Sequence, residues 1–179
     1  MVHVLTPHPD FPCRVLSGLE AEVERPAPDR LLIRYRLSGI TADLVFPPSI
    51  GGRADELWRH TCLEAFARVP GDEGYREFNL SPGGQWAAYR FDGYRLGMAN
   101  ADVPPPEVRI SGPGGDVLEF AVEWMVDLPV DATWQVAVTA VIEAADKTGS
   151  YWSIRHPQGQ PDFHHADGFV VELRPPSGP

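Results

Sequence analysis

Apolar and polar side chains alternate along much of this chain, in short runs that Pro- and Gly-rich segments separate. The run LLIRYRLSG shows the pattern most cleanly, with its apolar side chains at Leu31, Ile33, Tyr35 and Leu37. Alternate residues of a β-strand point to opposite faces, so these side chains face a core while Arg34 and Arg36 face water. The run therefore predicts a half-buried antiparallel strand.

Similar alternation predicts strands elsewhere in the chain. They lie at residues 14–24, 117–124, 134–142 and 150–155, with shorter ones at 43–46 and 169–173. Pro47 and Pro48 are expected to end the strand at 43–46, because proline has no N–H to donate to a neighbouring strand. The prolines within residues 1–12 predict an irregular lead-in, and residues 174–179, RPPSGP, predict a polar tail.

The stretch at 57–91, LWRHTCLEAFARVPGDEGYREFNLSPGGQWAAYRF, contains three further predicted strands. In its first run one face is apolar and consists of Leu63, Ala65, Ala67 and Val69. The opposite face is mixed and consists of Trp58, His60, Cys62, Glu64 and Phe66. In the second run Glu77 and Asn79 lie opposite Phe78, and SPGG predicts a hairpin turn into the third run. This two-residue period favours a strand over a helix at 57–69.

Together these runs predict nine or ten short strands, because the segments between them lack the 3.6-residue period of an amphipathic helix. The 17 Gly and 19 Pro among 179 residues also favour many turns over long helices. A chain of this length buries one core, whereas two halves would each be marginally stable. We therefore predict an all-β fold, an antiparallel, jelly-roll-like β-sandwich, with residues 1–179 forming a single domain.

The formal net charge of -10, from 15 basic and 25 acidic residues, opposes binding to nucleic-acid phosphates or to an anionic membrane. Residues 1–14 lack the basic and apolar regions of a signal peptide, and no segment approaches the ~20 apolar residues that span a bilayer. We therefore expect a soluble, cytoplasmic protein with no nucleic-acid or membrane partner. Cys13 and Cys62 lack metal-binding or redox spacing, so buried free thiols are expected.

Three ordered blocks of the sequence resemble a known family. LWRHTCLEAF, YREFNLSPGGQWAAYRF and SYWSIRHPQGQPDFHH, followed by a short strand, resemble the DOMON-like domains related to family-nine carbohydrate-binding modules. The resemblance covers roughly residue 57 to the end, and it implies a jelly-roll-like β-sandwich whose ligand is a sugar in some relatives and haem in others. Block position matches Trp58 and Trp152 to the Trp pair of the sugar-binding relatives, and the polar partners it implies are Glu64, Glu77 and Asn79.

Sugar recognition needs flat aromatic faces for the C–H side of the ring and carboxylate or amide groups for its hydroxyls. Two blocks of this chain, at 57–91 and 150–165, supply both and are expected to meet in space. The candidate ligand-binding residues are Trp58, Glu64, Glu77, Asn79, Trp86, Trp152, Arg155 and His156. The alternative for each Trp is a place in the core of the sandwich.

Glu64 stands out because its strand neighbours on the same face are Cys62 and Phe66. Carboxylates are rarely buried without a partner, so an inward Glu64 needs either an arginine or a ligand rich in hydroxyls. If the partner is an arginine, Glu64 forms a buried ion pair that stabilises the fold, and Arg90, Arg95 and Arg155 are the candidates. The sequence is consistent with both an arginine partner and a ligand.

Cofactor binding and catalysis have weaker support. His60, His156, His164, His165 and Met98 could supply metal or haem ligands, but no recognised ligand spacing connects them, so no cofactor is expected. Glu64 and Glu77 could act as the acid and base of a glycoside-processing enzyme, although no catalytic motif accompanies them. We therefore predict a non-catalytic domain that binds a small polar ligand, with a saccharide preferred. Haem binding and a purely structural or interaction role are the alternatives.

Overall fold

Two antiparallel β-sheets stack face to face in the computed structural model, which describes residues 1–46, 51–112 and 115–176. The prediction of an all-β, antiparallel, jelly-roll-like sandwich is confirmed. Within those ranges the strands are β1 (Val2–Pro7), β2 (Leu16–Glu24), β3 (Arg30–Gly39), β4 (Cys62–Arg68), β5 (Tyr75–Leu80), β6 (Trp86–Phe91), β7 (Ala99–Asn100), β8 (Glu107–Ser111), β9 (Val117–Met125), β10 (Trp134–Glu143), β11 (Gly149–Ser153) and β12 (Val171–Leu173). Single-turn 3-10 helices occur at Thr41–Asp43, Leu57–Arg59 and Ala166–Gly168.

One strand belongs to both sheets. The first sheet has the order β1-β2-β3-β9-β8, and the second has the order β7-β6-β5-β4-β10-β11, with β12 also beside β10. β1 begins in the first sheet, where it pairs with β2. Its last two residues, Thr6 and Pro7, pair instead with Ser153 and Trp152 of β11. The two sheets are therefore joined by continuous backbone hydrogen bonding along β1.

The inner faces of the two sheets form the main hydrophobic core. Leu31, Leu37 and Ile33 of β3 are each 0% exposed, as the alternation in that run predicts. They face apolar side chains of the second sheet, including Leu63, Phe78 and Val138. Removal of this surface from water contributes about 25 cal/mol per Å² and is the main stabilisation of the sandwich.

The outer face of the first sheet is a ladder of charges. Arg34 lies 2.9 Å from Glu24 and 3.9 Å from Glu22, and Arg36 lies 3.4 Å from Glu119. These side chains are about half exposed, so each pair contributes no more than ~1 kcal/mol. This face is solvated, as expected for one side of an antiparallel sheet.

The outer face of the second sheet is different because it is buried. A second apolar cluster covers it, and Phe66, Tyr75 and Tyr89 of the sheet are members together with Leu57 and Phe169 of the loops. Tyr75 stacks on Phe91 with ring centroids 4.6 Å apart. The second sheet is thus enclosed on both faces.

Several predicted boundaries are wrong. Residues 1–12 do not form an irregular lead-in, because Val2–Pro7 is the strand β1. The strand predicted at 43–46 is replaced by the 3-10 turn Thr41–Asp43 and one isolated bridge from Leu44 to Ala144. The edge strand Glu107–Ser111 was not predicted. Pro47, Pro48 and the last three residues of the predicted tail lie outside the described residues.

The two thiols are free, as predicted, although Cys62 is fully buried and Cys13 is only partly so. None of the helices in the described part of the chain is long and apolar enough to cross a membrane.

Tyr35→Phe tests the contact that joins β3 to β4 across the core. The Tyr35 hydroxyl is buried and donates a 2.9 Å hydrogen bond to the backbone carbonyl of Glu64. Its removal should lower the free energy of unfolding by about 1 kcal/mol, measured by urea denaturation. Tyr151→Phe is the matched control, because Tyr151 is only partly buried and the substitution keeps the ring that packs against Phe11. Equal stability of the two variants would contradict a structural role for the Tyr35 bond.

Candidate functional site

A pocket of about 680 Å³ opens on the outer face of the second sheet. Glu64 of β4 and Glu77 of β5 form its floor, and loops and strand ends form its walls. We call it the outer-face pocket. Its other lining residues are Trp58, Arg59, Phe91, Arg95, Met98, Val141, Glu143, Lys147, Gly149, Tyr151, Pro161, Phe163 and His164.

Strand register aligns three polar residues across the middle of the sheet. Thr139 of β10 is opposite Glu64 of β4, which is opposite Asn79 of β5. Side chains of directly paired residues share a face, and neighbouring strands lie about 4.8 Å apart. Thr139, Glu64 and Asn79 therefore form one row, which we call the polar row.

The polar row is buried but incompletely hydrogen bonded. Glu64 is 3% exposed, Thr139 1% and Asn79 0%. Asn79 Nδ2 donates to Glu77 Oε1 over 2.7 Å. Glu64 Oε1, Asn79 Oδ1 and Thr139 Oγ1 have no hydrogen-bond partner among the described residues. Since a buried polar atom without a partner costs about 1–3 kcal/mol, this concentration is unusual in a folded core.

Burial changes the protonation of both floor carboxyls. It raises the pKa of Glu64 well above its ordinary value, and the neighbouring charge of Glu77 raises it further. Burial also raises the pKa of Glu77 to about 7, although the hydrogen bond from Asn79 opposes the change. Both floor carboxyls therefore ionise at higher pH than exposed carboxyls do, and Glu77 ionises near neutral pH.

His164 and Tyr75 close one side of the floor. His164 Nδ1 lies 2.7 Å from the Tyr75 hydroxyl, which accepts the backbone N–H of Arg95 over 3.2 Å. Burial, with a smaller contribution from Arg95, lowers the pKa of His164 to about 4. His164 is therefore neutral at pH 7, and its 3.9 Å approach to Glu77 is not an ion pair there.

Each arginine and lysine that lines the pocket has an acidic partner outside the floor. Arg95 lies 2.8 Å from Asp162, Arg59 lies 2.8 Å from Glu56, and Lys147 lies 3.6 Å from Glu143. We call these three contacts the rim pairs. His60 also reaches Glu143, with Nδ1 2.7 Å from Oε2.

The buried ion pair considered for Glu64 is not found. Among the described residues no arginine or lysine lies within 4.0 Å of the Glu64 or Glu77 carboxylate. Arg90 and Arg155 are exposed, and Arg95 forms an ion pair with Asp162. The bracing interpretation of Glu64 through an arginine is therefore wrong.

The structure brings together only part of the predicted site. Trp58, Glu64 and Glu77 line the outer-face pocket, and Asn79 lies beside Glu64 in the polar row. Trp58 is 37% exposed and contacts Tyr89 edge to face, with centroids 6.3 Å apart. The binding role of these residues stays a prediction.

Trp86 and Trp152 face the main core instead of the pocket. Trp152 is 3% exposed, and its indole N–H donates to Ser150 Oγ over 3.0 Å. Trp86 is 8% exposed and contacts Trp124, with centroids 6.3 Å apart. Alternation along β11 explains the first placement, because it turns Tyr151 toward the pocket and Trp152 toward the core.

Arg155 and His156 also lie away from the pocket lining. Arg155 is exposed, and His156 Nε2 contacts the backbone carbonyl of Thr6 over 2.8 Å. The segment 150–165, predicted as one binding block, is divided in the structure. His156 contacts β1, while Phe163 and His164 line the pocket.

Two residues beside the predicted site are not indicated by the sequence pattern: Tyr151 lines the pocket, and Thr139 lies next to Glu64 in the polar row. Thr139 is the only polar residue between Val136 and Ile142, inside a strand that is buried on both faces. A single hydroxyl in such a run is the signal that could have identified it. Within the described ranges no three His, Cys, Asp or Glu side chains are grouped as metal ligands.

Comparison with known proteins supports the fold. No family model matches the chain, and no curated protein matches it. A crystal structure of a proposed carbohydrate-binding protein from Bacteroides uniformis matches with a TM-score of 0.69 and 14% sequence identity. The match covers 97% of this chain and 85% of that chain. At this identity the likeness shows a shared fold.

Glu77→Gln should make the protein more stable at high pH. Because the pKa of Glu77 is raised from 4.5 to about 7, its contribution to stability is present below pH 4.5 and lost as pH rises through 7. The glutamine side chain of the variant does not ionise, and its amide oxygen can still accept the hydrogen bond from Asn79. The free energy of unfolding of the variant should exceed that of the wild type by roughly 3 kcal/mol at pH 8, and the gain should vanish near pH 4.5.

Chemical denaturation at pH 4.5, 6 and 8 measures this difference. The lowered pKa of His164 affects both proteins and cancels in the comparison. Glu107→Gln, at an exposed strand position, is the matched control and should show no such gain. A gain that is independent of pH would contradict the raised pKa of Glu77.

Proposed function

We propose that this chain is a non-catalytic, DOMON-like domain that binds a saccharide in the outer-face pocket. The polar row is the observation that carries the proposal. It combines a carboxyl, an amide and a hydroxyl on adjacent strands, each with an atom that has no partner among the described residues. A ligand with several hydroxyl groups on one rigid ring would supply those partners.

The chemistry of the polar row fits sugar hydroxyls in particular. Glu64 Oε1 and Asn79 Oδ1 accept hydrogen bonds, and Thr139 Oγ1 both donates and accepts. A sugar hydroxyl can also both donate and accept, so it can bind the Glu64 carboxyl, which lines the pocket, while Asn79 and Thr139 lie beside Glu64 in the sheet. Bonds to an ionised Glu64 or Glu77 would be roughly twice as strong as neutral ones.

The pocket walls supply the apolar contacts that a sugar ring needs. Trp58, Phe91, Tyr151 and Phe163 line the pocket around the carboxyl floor. Aromatic faces accommodate the C–H side of a pyranose, while the polar row would take its hydroxyls. A volume of about 680 Å³ lies within the range of ordinary small-ligand sites.

The structural comparison supports the same proposal by analogy. The Bacteroides uniformis protein with this fold is a proposed carbohydrate-binding protein. Function is not transferred by fold alone, so the proposal depends on the pocket rather than on the neighbour.

Glycoside hydrolysis is a second candidate, favoured by one observation. Glu64 and Glu77 lie at the floor of one pocket, and the raised pKa of Glu64 suits the general acid of a glycosidase, for which Glu77 would be the second carboxyl. Incubation of each bound glycan with the protein, followed by product analysis, distinguishes a hydrolase from a binding domain. Product release that Glu77→Gln abolishes would replace the binding proposal by the catalytic one.

A glycan array followed by calorimetry tests the binding proposal. We expect at least one glycan to bind with a dissociation constant below ~1 mM, equivalent to about 4 kcal/mol. Trp58→Ala should weaken that binding about tenfold through loss of the aromatic contact, with little change in melting temperature because Trp58 is 37% exposed. Ile110→Ala, at a 48% exposed position on the first sheet, is the matched control.

Two results would overturn the proposal. One is the absence of binding across the array, and the other is full affinity in Trp58→Ala. Trp152→Ala is unsuitable as a probe, because the loss of a core Trp costs about 3–5 kcal/mol and would unfold the site.

A further inference from the structure

The floor of the outer-face pocket holds two buried carboxyls without a cation. Glu64 and Glu77 are each 3% exposed and lie on adjacent strands. No arginine or lysine of the described residues lies within 4.0 Å of either carboxylate, and the sequence has no basic residue at 47–50, 113–114 or 177–179. His164 lies 3.9 Å from Glu77 and is neutral at a pKa of about 4, while the more distant charge of Arg95 lowers the pKa of Glu77 without forming an ion pair with it.

This arrangement is costly unless a ligand contributes charge. Buried carboxylates are normally paired with a cation, because desolvation of an isolated charge costs several kcal/mol. A neutral sugar satisfies the hydrogen bonds of the floor but leaves the charge of an ionised carboxylate uncompensated. A cationic group within ~4 Å favours the ionised form of both carboxyls. The attraction between that group and the carboxylates then contributes to the free energy of binding.

The walls around the floor are also suited to a cation. Trp58, Phe91, Tyr151 and Phe163 are aromatic residues of the lining. An ammonium group near the face of an aromatic ring gains ~0.5–2 kcal/mol, with the larger value when water is excluded. A carboxyl floor with aromatic walls therefore favours an organic ammonium over an uncharged group at the same position.

The rim pairs remove the main objection to a cationic ligand. Arg59, Arg95 and Lys147 line the same pocket and would repel an ammonium group. Each lies within 4.0 Å of its own acid, so each of the rim pairs is electrically neutral overall. The uncompensated groups are those of the floor, and the net charge of -10 adds attraction for a cation at long range.

We propose that the outer-face pocket selects an amino sugar with a free, protonated amino group. The ammonium lies against Glu64 and Glu77, and the sugar ring packs against the aromatic residues of the pocket walls. Glu64 is the main support for the inference, since its side chain is buried, the residue lines the pocket and its Oε1 has no hydrogen-bond partner among the described residues. This inference rests on the proposed saccharide function and narrows it to one chemical class.

Three oligosaccharide series that differ at one ring position test the inference by calorimetry at pH 6.5. Glucosamine oligomers carry an ammonium at carbon 2, N-acetylglucosamine oligomers carry an amide there, and glucose oligomers of the same linkage carry a hydroxyl. We expect the glucosamine oligomers to bind at least ~tenfold more tightly than either neutral series, because charge-assisted bonds replace neutral ones.

Glu64→Gln should abolish this preference, so that the glucosamine oligomers bind no more tightly than the two neutral series. Glu77→Gln is the second variant, in case Glu64→Gln does not fold by melting temperature. Glu107→Gln is the matched control and should retain the full preference. An unchanged preference in both folded floor variants would overturn the inference.

The outcomes also separate this inference from the proposed function. Equal binding of the three series, tighter binding of a neutral series, or binding confined to other neutral glycans would overturn the amino-sugar inference and leave the saccharide proposal standing. Absence of binding to every glycan would overturn both. Binding of propylammonium as tight as that of the glucosamine oligomers would show a general cation site, and would also overturn both.

Discussion

Burial of both faces of the second sheet is the constraint on which the site depends. Its inner face packs against the first sheet, and loops that carry Leu57, Phe163 and Phe169 cover its outer face. A strand in such a sheet can be apolar along nearly its whole length, as β10 is. Any polar side chain there is removed from bulk water, so it must find a partner inside the protein or lower the stability of the fold.

The free-energy cost of a glutamate side chain differs strongly between the two sheets. Glu22 and Glu24 on the first sheet are exposed and lie near Arg34, so their charges cost little. Glu64 and Glu77 on the second sheet are buried beneath loops, and both have raised pKa values. Proteins tend to keep such unfavourable groups where function requires them, and stability is lower as a result. The position of the floor carboxyls fits that pattern.

Periodicity in the sequence predicts the sheets well and the site less well. Leu31, Leu63 and Val138 are buried where alternation places them, because a period of two is enough to assign the faces of a strand. Alternation does not identify β1 and β8, because apolar side chains such as Val2 and Ile110 stay exposed there. Pairing partners are also absent from a single sequence. The row from Thr139 through Glu64 to Asn79 therefore emerges only from strand register.

Because β1 pairs with strands of both sheets, the sandwich closes late in folding. Thr6 pairs with Ser153, so β1 finds one of its two partners far later in the chain than it finds β2. Contacts of such long separation form slowly, because the intervening loop must close first. The first sheet can assemble around β2 and β3 during synthesis, whereas closure of the sandwich awaits β11. Until then the apolar face of the first sheet stays uncovered, and aggregation during synthesis is the hazard that this topology carries.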